Sequence, residues 1–504
     1  MNKIILFILV LGIVYKVTMI ADGNFLFNMD SARDFVDVRE MVELKKLRLT
    51  GPTTPIDGLY DGPFWYYFLA IGYVILKGDP YSAVLLQIIL WAIGGFFLLK
   101  LVKNINIFLT IPIGFVWVAS NYIVLANLYS FNPTPVTLLA PLFIYSLVEY
   151  LENGKAIYGM LTWILAGLFF NFEMNFGVFT PLIIFLSVVL TNNLKLLRKK
   201  WFWLGVGLFI ATLLPQVIFD LRHQFIMSKA IFKHLSENSG SNINLLVRFQ
   251  SVSISFYNTF VPTLMNQKWL VWLILGLFVA VLIGFLKTRK KEILIIVSLT
   301  FITIPFVGYL FLPVAINPWH LGPEMATSLI LIAYLLKRLL EGTFPSKIVS
   351  VILSVSIIWF AILNIGNSFI HDRRKPNLDP SLFRNEIAAI DYVYQKAGGQ
   401  NFKVYTYLPS VYDYPYQYLF WWYGKKKYGY IPGEYAYSPN KPQYISNKEK
   451  FEGSKDNYSG LVFLIKEPDR IRMRQAWEND YKGMKFIAKE MVGSIEIEIR
   501  KELF

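Results

Sequence analysis

Phe64-Trp65-Tyr66-Tyr67-Phe68-Leu69-Ala70-Ile71-Gly72-Tyr73-Val74-Ile75-Leu76 is the stretch on which the topology of this chain turns. It is apolar, but Asp61 and Lys77 bound it, and it stops well short of the ~20 residues needed to cross a hydrocarbon core. It therefore reads as an interfacial or re-entrant helix. Longer apolar runs lie around it, near residues 4–20, 81–101, 107–126, 136–151, 156–170, 178–190, 201–219, 269–286, 293–312, 321–336 and 348–363. They give about eleven crossings. If the short piece stays on one side and the N-terminus is cytoplasmic, every strongly basic connection falls in the cytoplasm. These connections are Lys100 with Lys103, residues 195–200, residues 287–291, and Lys337 with Arg338 through Lys347. If it crosses, all four move outside, against the positive-inside rule.

Composition agrees with a multi-pass membrane protein: 55% of the 504 residues are hydrophobic and 17% aromatic. The first run carries Lys16 near its end and lacks a small-residue cleavage site, so it reads as a retained span rather than a signal peptide. The chain has no cysteine, which removes disulfides, thiolate nucleophiles and cysteine-held zinc. The net charge of +15 sits in short connections between apolar runs. It reports topology, not a nucleic-acid partner.

The same parity gathers polar groups at the outer ends of the spans: 30–61, Asn132, Asn171 with Glu173, the 220–268 loop, and 319–324. Polar groups are costly in a bilayer unless they face a cavity or each other, so these ends are expected to converge on one outward-facing pocket. Residues 1–364 read as the membrane domain, with a first outer loop over 21–79. Residues 365–504 read as a small extracytoplasmic α/β domain. There, Pro380-Ser381 opens a helix that runs to Ala397 and stops at Gly398-Gly399. Strands are expected at 402–408, 461–465, 485–491 and 494–500. The stretch 438–456 is the most loop-like. The tyrosines and tryptophans between Tyr405 and Tyr423 read first as core and interface packing, with a sugar-stacking surface as the alternative.

The first loop contains Asp30-Ser31-Ala32-Arg33-Asp34-Phe35-Val36-Asp37-Val38-Arg39-Glu40. As a helix it puts Asp30, Arg33, Asp34 and Asp37 on one face, which presents carboxylates beside a guanidinium. The plainer reading has Asp30 as a cap and the others in solvated ion pairs. Downstream, the turn-rich segment 51–63 carries Asp57 and Asp61 and leads into the aromatic piece, whose rings also suit an interfacial belt.

The early outer-loop aspartate, the Ala-Arg-Asp helix, and Asp61-Gly62-Pro63-Phe64-Trp65-Tyr66-Tyr67-Phe68-Leu69-Ala70 together resemble the start of the GT-C membrane glycosyltransferases. The nearest branch is that of the protein O-mannosyltransferases and lipid A aminoarabinose transferases. One departure concerns the base: members often carry two adjacent acids at this site, whereas Asp30 is followed by Ser31 and then Asp34. The resemblance implies a polyprenyl-phosphate sugar donor and an acceptor hydroxyl or amine that attacks the anomeric carbon at the outer face. The acceptor is a protein, lipid or glycan. No convincing Gly-x-Gly-x-x-Gly or phosphate-loop motif is present, as such a donor requires no nucleotide fold.

That chemistry needs a carboxylate to deprotonate the acceptor and groups to hold the departing phosphate. Asp30 is the preferred base and Asp34 the reserve, with Arg33 and Asp61 beside them. Asp220, Arg222 and His223 at one span end, and Trp319 with His320 at another, are the phosphate-side candidates. Snorkelling of Arg222 and structural roles for the histidines are the bland readings. Glu173, in a very short turn, needs a partner and finds one in the pocket. No cofactor and no metal are expected. A divalent ion held by Glu173 with His320 or His223 is the alternative, without a spacing motif behind it. Membrane lipids are the remaining partner. The competing function is a transporter or flippase of a lipid-linked glycan, which calls for midplane charges or repeat symmetry that the sequence does not display. A docking protein that binds surface polymer through the aromatic tail ranks last.

Overall fold

The computed structural model describes residues 3–239, 244–287, 292–312, 314–374, 377–439, 444–454, 458–469 and 471–503. All eleven apolar runs lie on helices. The first is α1 (Lys3–Ile20), and the long connection after it holds α2 (Met29–Glu43) and α3 (Phe64–Ile75). With 12 residues, α3 is ~18 Å long at 1.5 Å per residue, against a hydrocarbon core of ~30 Å. It is too short to cross. Next come α4 (Tyr81–Ile105) and a broken span, α5 (Thr110–Ala119) with α6 (Asn121–Leu128), bent by 46°. The extended backbone of Ser120, at ψ 131°, interrupts the helical ladder there. The central helix α7 (Thr134–Asn153) is the most enclosed, with 89% of its most apolar window buried.

After α8 (Ala156–Phe172) the chain breaks at Glu173 and continues as α9 (Met174–Gly177) and α10 (Thr180–Leu190). The remaining helices of this part are α11 (Lys200–Arg222), α12 (Ile226–Ser239), α13 (Leu245–Thr263), α14 (Lys268–Lys287), α15 (Ile293–Phe311), α16 (Glu324–Leu340) and α17 (Phe344–Ser368). Among the described residues, six helices are long and apolar enough to cross a membrane, or seven with the bent pair as one span. Helices α8 and α16, at 17 residues each, sit at the lower limit of spanning length. The basic connection 287–291 lies largely outside the described residues.

The connection 220–268, expected as a loop, contains α12 and α13. Asp220 starts the first of them by accepting the Met227 and Ser228 amides, at 2.7 and 3.3 Å, and the Ser228 hydroxyl at 2.5 Å. Asn244 starts the second by accepting the amides of Leu246 and Val247. Helix α12 is mostly polar and exposed, so no apolar periodicity of spanning length marks it.

The C-terminal part holds α18 (Phe383–Ala397), α19 (Tyr414–Leu419), α20 (Ile471–Glu478) and a five-stranded sheet. Its strands are β1 (Asn401–Tyr407), β2 (Glu434–Ala436), β3 (Tyr458–Lys466), β4 (Lys485–Val492) and β5 (Ile495–Lys501), in the order β2-β1-β3-β5-β4. The first three are parallel, and β5 and β4 run antiparallel. Gly398 stops α18 at φ 59°, in the left-handed region where a glycine bears no Cβ penalty. Ser381 does not cap this helix as expected: Leu382 holds the N-cap position without a side-chain bond. The Ser381 carbonyl instead accepts the Phe27 amide at 2.9 Å, and Phe383 N–H reaches Phe25 O at 2.9 Å. These pairings tie α18 to the start of the first loop. The strand β2, at 3 residues, is too short to show a period-2 alternation, and part of the 438–456 stretch lies outside the described residues.

The tail clasps the juxtamembrane helices from the far side. Tyr418 donates to Gly78 O at 2.5 Å and Trp422 to Lys77 O at 3.1 Å, which fixes the end of α3. Arg39 of α2 enters the tail and lies 3.9 Å from the Phe451 ring centroid and 5.1 Å from that of Trp421. Tyr405, Tyr407, Tyr416 and Tyr418 are each buried to within 2%. The tyrosine-rich run is packing, and Tyr412 is its exposed exception.

Candidate active site

Helix α2 begins where Asn28 caps the Ser31 amide, so Asp30 is released from the capping role. The Ser31 hydroxyl donates to Ser130 O at 2.7 Å and ties the helix start to the chain after α6. One turn along, Arg33 lies between two carboxylates. Its Nη1 reaches Asp30 Oδ1 at 3.1 Å, and its Nε and Nη2 meet Asp34 Oδ1 at 3.0 and 2.9 Å. Tyr129 donates to Asp30 Oδ2 at 2.8 Å, and Trp65 donates its Nε1–H to Asp34 Oδ2 at 2.6 Å. Asp37, on the same face, is held by Tyr66 Oη and Arg48, both at 2.8 Å.

The two candidate bases differ in access. The Asp30 side chain is 26% exposed, whereas Asp34 is 1% exposed. Burial pushes the Asp34 carboxyl up to about 6, while Arg33 and the Trp65 hydrogen bond act the other way.

Beneath α2 lies a second group. Asp61 accepts Asn132 Nδ2 at 3.0 Å, and the same amide donates to Phe172 O at 2.8 Å. Gly62 N–H meets Asn171 O at 3.0 Å. A Cβ on Gly62 would fall 1.7 Å from Asn171 Oδ1, so only glycine fits there. Glu173 caps α9, accepting the Asn175 amide at 3.1 Å and Asn175 Nδ2 at 2.8 Å. Asn175 Nδ2 is 3.4 Å from His320 Nε2. Burial holds Asp61 well above the usual carboxylate range, and the nearby Glu173 charge raises it further. Burial likewise pushes Glu173 up to about 7, against the Asn175 hydrogen bonds. His320 accepts the Asn317 amide on Nδ1 at 3.3 Å, and burial lowers it to about 4. Its ring is neutral at pH 7.

An aromatic path links the two groups: Tyr129 stacks on Phe131 at 5.0 Å, and Phe131 meets Trp319 edge-on at 5.6 Å. Asp30, Arg33, Asp34, Asp61, Glu173, Trp319 and His320 thus sit at one end of the bundle. Asp220, Arg222 and His223 occupy a separate station. Phe219 packs on Tyr60 at 5.6 Å, which puts the end of α11 against the 51–62 segment. Arg222 and His223 are exposed, and His223 stacks on Phe219 at 4.0 Å. Asp220 is committed to capping α12. Among the described residues, no three potential ligands converge as a metal cage, and Asn175 stands between Glu173 and His320.

Sequence reasoning missed Tyr129, Trp65 and Asn175 as partners. For Trp65 a signal existed: a tryptophan four residues after Asp61, at the start of a helix too short to span.

No protein-family model matches the sequence, and no curated protein matches it. Among solved structures, ArnT from Cupriavidus metallidurans bound to undecaprenyl phosphate aligns over 98% of this chain and 97% of that chain, with a TM-score of 0.60 at 12% identity. This chain has the GT-C fold. ArnT in the apo state aligns over the same shares at 13% identity with a TM-score of 0.46. At such identities the likeness carries the GT-C fold and no residue's role, and the geometry of this chain must supply the chemistry.

Proposed function

We propose that this chain is a membrane glycosyltransferase that moves a sugar from a polyprenyl-phosphate donor to an acceptor hydroxyl or amine at the outer face, with Asp30 as the base. The observation that carries the reading is the contrast within α2. Asp30 is partly open to solvent and oriented by Tyr129 and Arg33, while Asp34 is enclosed by Arg33 and Trp65. In the reaction, the acceptor gives its proton to Asp30 and its oxygen or nitrogen bonds to the anomeric carbon. The bond from that carbon to the phosphate oxygen breaks, and polyprenyl phosphate leaves.

Two further features support this reading. A largely apolar cleft of about 380 Å³, walled by Phe256, Tyr257, Phe260, Trp272 and Phe306, has Glu324 in its lining, close to His320. It suits an isoprenoid tail, and ArnT is a protein of this fold with undecaprenyl phosphate bound. Helix directions also separate the charges. Helices α4 and α16 start at the carboxylate end and finish with Lys103 and with Lys337 and Arg338. The positive-inside rule then favours a cytoplasmic N-terminus, with the site and the 365–504 domain outside. Arg222, His223 and His320 are the proposed phosphate contacts.

The test is incubation of membranes with a panel of labelled polyprenyl-phosphate sugars. Covalent label on protein, lipid or glycan supports transfer, and its loss in Asp30→Asn supports the base. Flipping of a lipid-linked glycan in sealed vesicles without any covalent transfer would overturn the proposal.

A further inference from the structure

Where the tail meets α2, three tyrosines stand apart from the buried run. Helix α19 packs along α2: Tyr418 meets Phe35 at 5.2 Å between ring centroids, and Arg39 Nη1 donates to Gln417 O at 3.3 Å. Further along α2, Ser446 Oγ and Asn447 Nδ2 donate to Glu40 at 2.5 and 2.6 Å. Tyr414 is the first residue of α19. Burial pushes its hydroxyl up, the Asp37 charge adds to this and Arg33 opposes it, which sets Tyr414 beside the carboxylate face of α2. Tyr412 is 44% exposed and stacks on Tyr414, with ring centroids 5.9 Å apart and planes inclined by 19°. Tyr444 backs both rings steeply, at 4.9 and 5.1 Å. Its hydroxyl is fixed by Asp413, which also accepts Gln417 Nε2 at 2.7 Å. Val411, immediately before the exposed ring, has φ 66°. A β-branched residue is an outlier in that region, and such strain persists where the surroundings over-determine it, as at ligand clamps.

The two parallel rings present a flat apolar step. On its α2 side stand Asp37 and Arg48, each 27% exposed and paired at 2.8 Å. A pyranose carries the matching pattern, a C–H face that stacks on a ring and edge hydroxyls that both donate and accept. An acyl chain would strip water from the ion pair without replacing it, and a polypeptide presents no repeating flat face. We propose that Tyr412 and Tyr414, backed by Tyr444, form a sugar-stacking subsite for the acceptor, which makes the acceptor a glycan. The inference rests on the transferase reading with Asp30 as the base. Asp37 lies seven residues beyond Asp30 on α2, ~10 Å along the axis, so the rings hold a sugar beyond the one whose hydroxyl is deprotonated.

The experiment titrates the full chain in nanodiscs with soluble probes: chitotetraose, cellotetraose, maltotetraose, mannotetraose and a serine- and threonine-rich peptide. Saturation-transfer NMR reads the dissociation constant and which sugar C–H protons lie against the protein. At least one tetrasaccharide is expected to bind through its ring protons, and Tyr412→Ala to weaken it about tenfold, the weight of one aromatic stack. Tyr412→Trp is expected to keep the affinity, and Tyr412→Leu, which has bulk but no ring face, to lose it like Tyr412→Ala. Absence of tetrasaccharide binding, binding of the peptide alone, or an affinity unchanged in Tyr412→Ala and Tyr412→Leu overturns the subsite. Transfer from a labelled polyprenyl-phosphate donor is measured on the same samples. Tyrosine-dependent binding without transfer from any donor upholds the stacking surface and rejects the transferase reading. Transfer to protein or lipid that is undiminished in Tyr412→Ala upholds the transferase reading and rejects the subsite.

Discussion

Two groups of carboxylates share one end of this bundle and differ in what answers their charge. On α2, Asp30, Asp34 and Asp37 face Arg33 and Arg48 directly, with Tyr129, Trp65 and Tyr66 as added donors. Below them, Asp61 and Glu173 are met by Asn132 and Asn175, which are neutral, and Asn175 in turn lies against His320. Arg33 is the cation that acts on Asp61, and only from a distance. A carboxylate that is open to the acceptor and oriented by a guanidinium can take a proton from an attacking group. A buried pair without a cation instead keeps a proton near neutral pH and serves to fasten the 51–62 segment to α8 and α9.

The largest effect that sharpens this contrast is expected in Asp30→Asn. Loss of a general base costs about 10³-fold in transfer rate, while the isosteric amide keeps an oxygen for Arg33 and Tyr129, so the melting temperature is expected to fall far less than the rate. Measured with a labelled polyprenyl-phosphate donor, an equal loss in Asp61→Asn together with an active Asp30→Asn would reverse the assignment of the two groups.

Next in size is Arg33→Met, which leaves Asp30 and Asp34 facing each other. Removing one partner of a buried ion pair costs about 3–5 kcal/mol. Adding Asp34→Asn to Arg33→Met is expected to restore most of the lost stability in a thermal melt, because the stranded charge is gone. No recovery would mean that Arg33 acts through packing.

The α2 group was legible in the sequence because helix spacing alone puts its members on one face. The second group was legible only as residues stranded at span ends: Asn132 and Glu173 stand out for their cost in a bilayer, but no spacing rule joins positions so far apart. Trp65 looked like a belt aromatic because the side chain it meets lies 31 positions earlier, across a helix–helix contact. Helix α12 escaped because its cap is made by Asp220, a residue with a plausible second use. Ser381 carried a cap signal, yet tertiary pairing with Phe27 took its carbonyl. Apolar length, which depends on the solvent and not on partners, located every helix of spanning character among the described residues.

Smaller again is a pH effect in which Glu173 takes part. Burial raises Glu173 from its ordinary 4.5 to about 7 in the folded chain. The folded state therefore binds the proton more tightly than the unfolded one, and stability rises as pH falls through 7 towards 4.5. At about 1.4 kcal/mol per unit, the gain is on the order of 2–3 kcal/mol. Because Asp34 acts in the same direction and the lowered His320 in the opposite one, the Glu173 part is read as the difference between the intact protein and Glu173→Gln: the variant is expected to be the more stable at pH 8 and to lose that advantage by pH 5. A slope that survives in Glu173→Gln but disappears in Asp61→Asn would move the shared proton to Asp61.

The smallest effect is expected at the station apart from both groups. Arg222 is exposed at the end of α11, across the 51–62 segment from Asp30, so any phosphate it meets is still largely hydrated. Exposed ion pairs contribute about 0–1 kcal/mol, and Arg222→Ala should raise the KM for the donor by at most about fivefold, with kcat and melting temperature unchanged. The effect should shrink further with added salt, because exposed charges are screened within ~10 Å at 0.1 M. A fall in kcat comparable to that of Asp30→Asn would instead require the 51–62 segment to close over the donor and bring Arg222 to the reacting phosphate. The two stations would then be halves of one site.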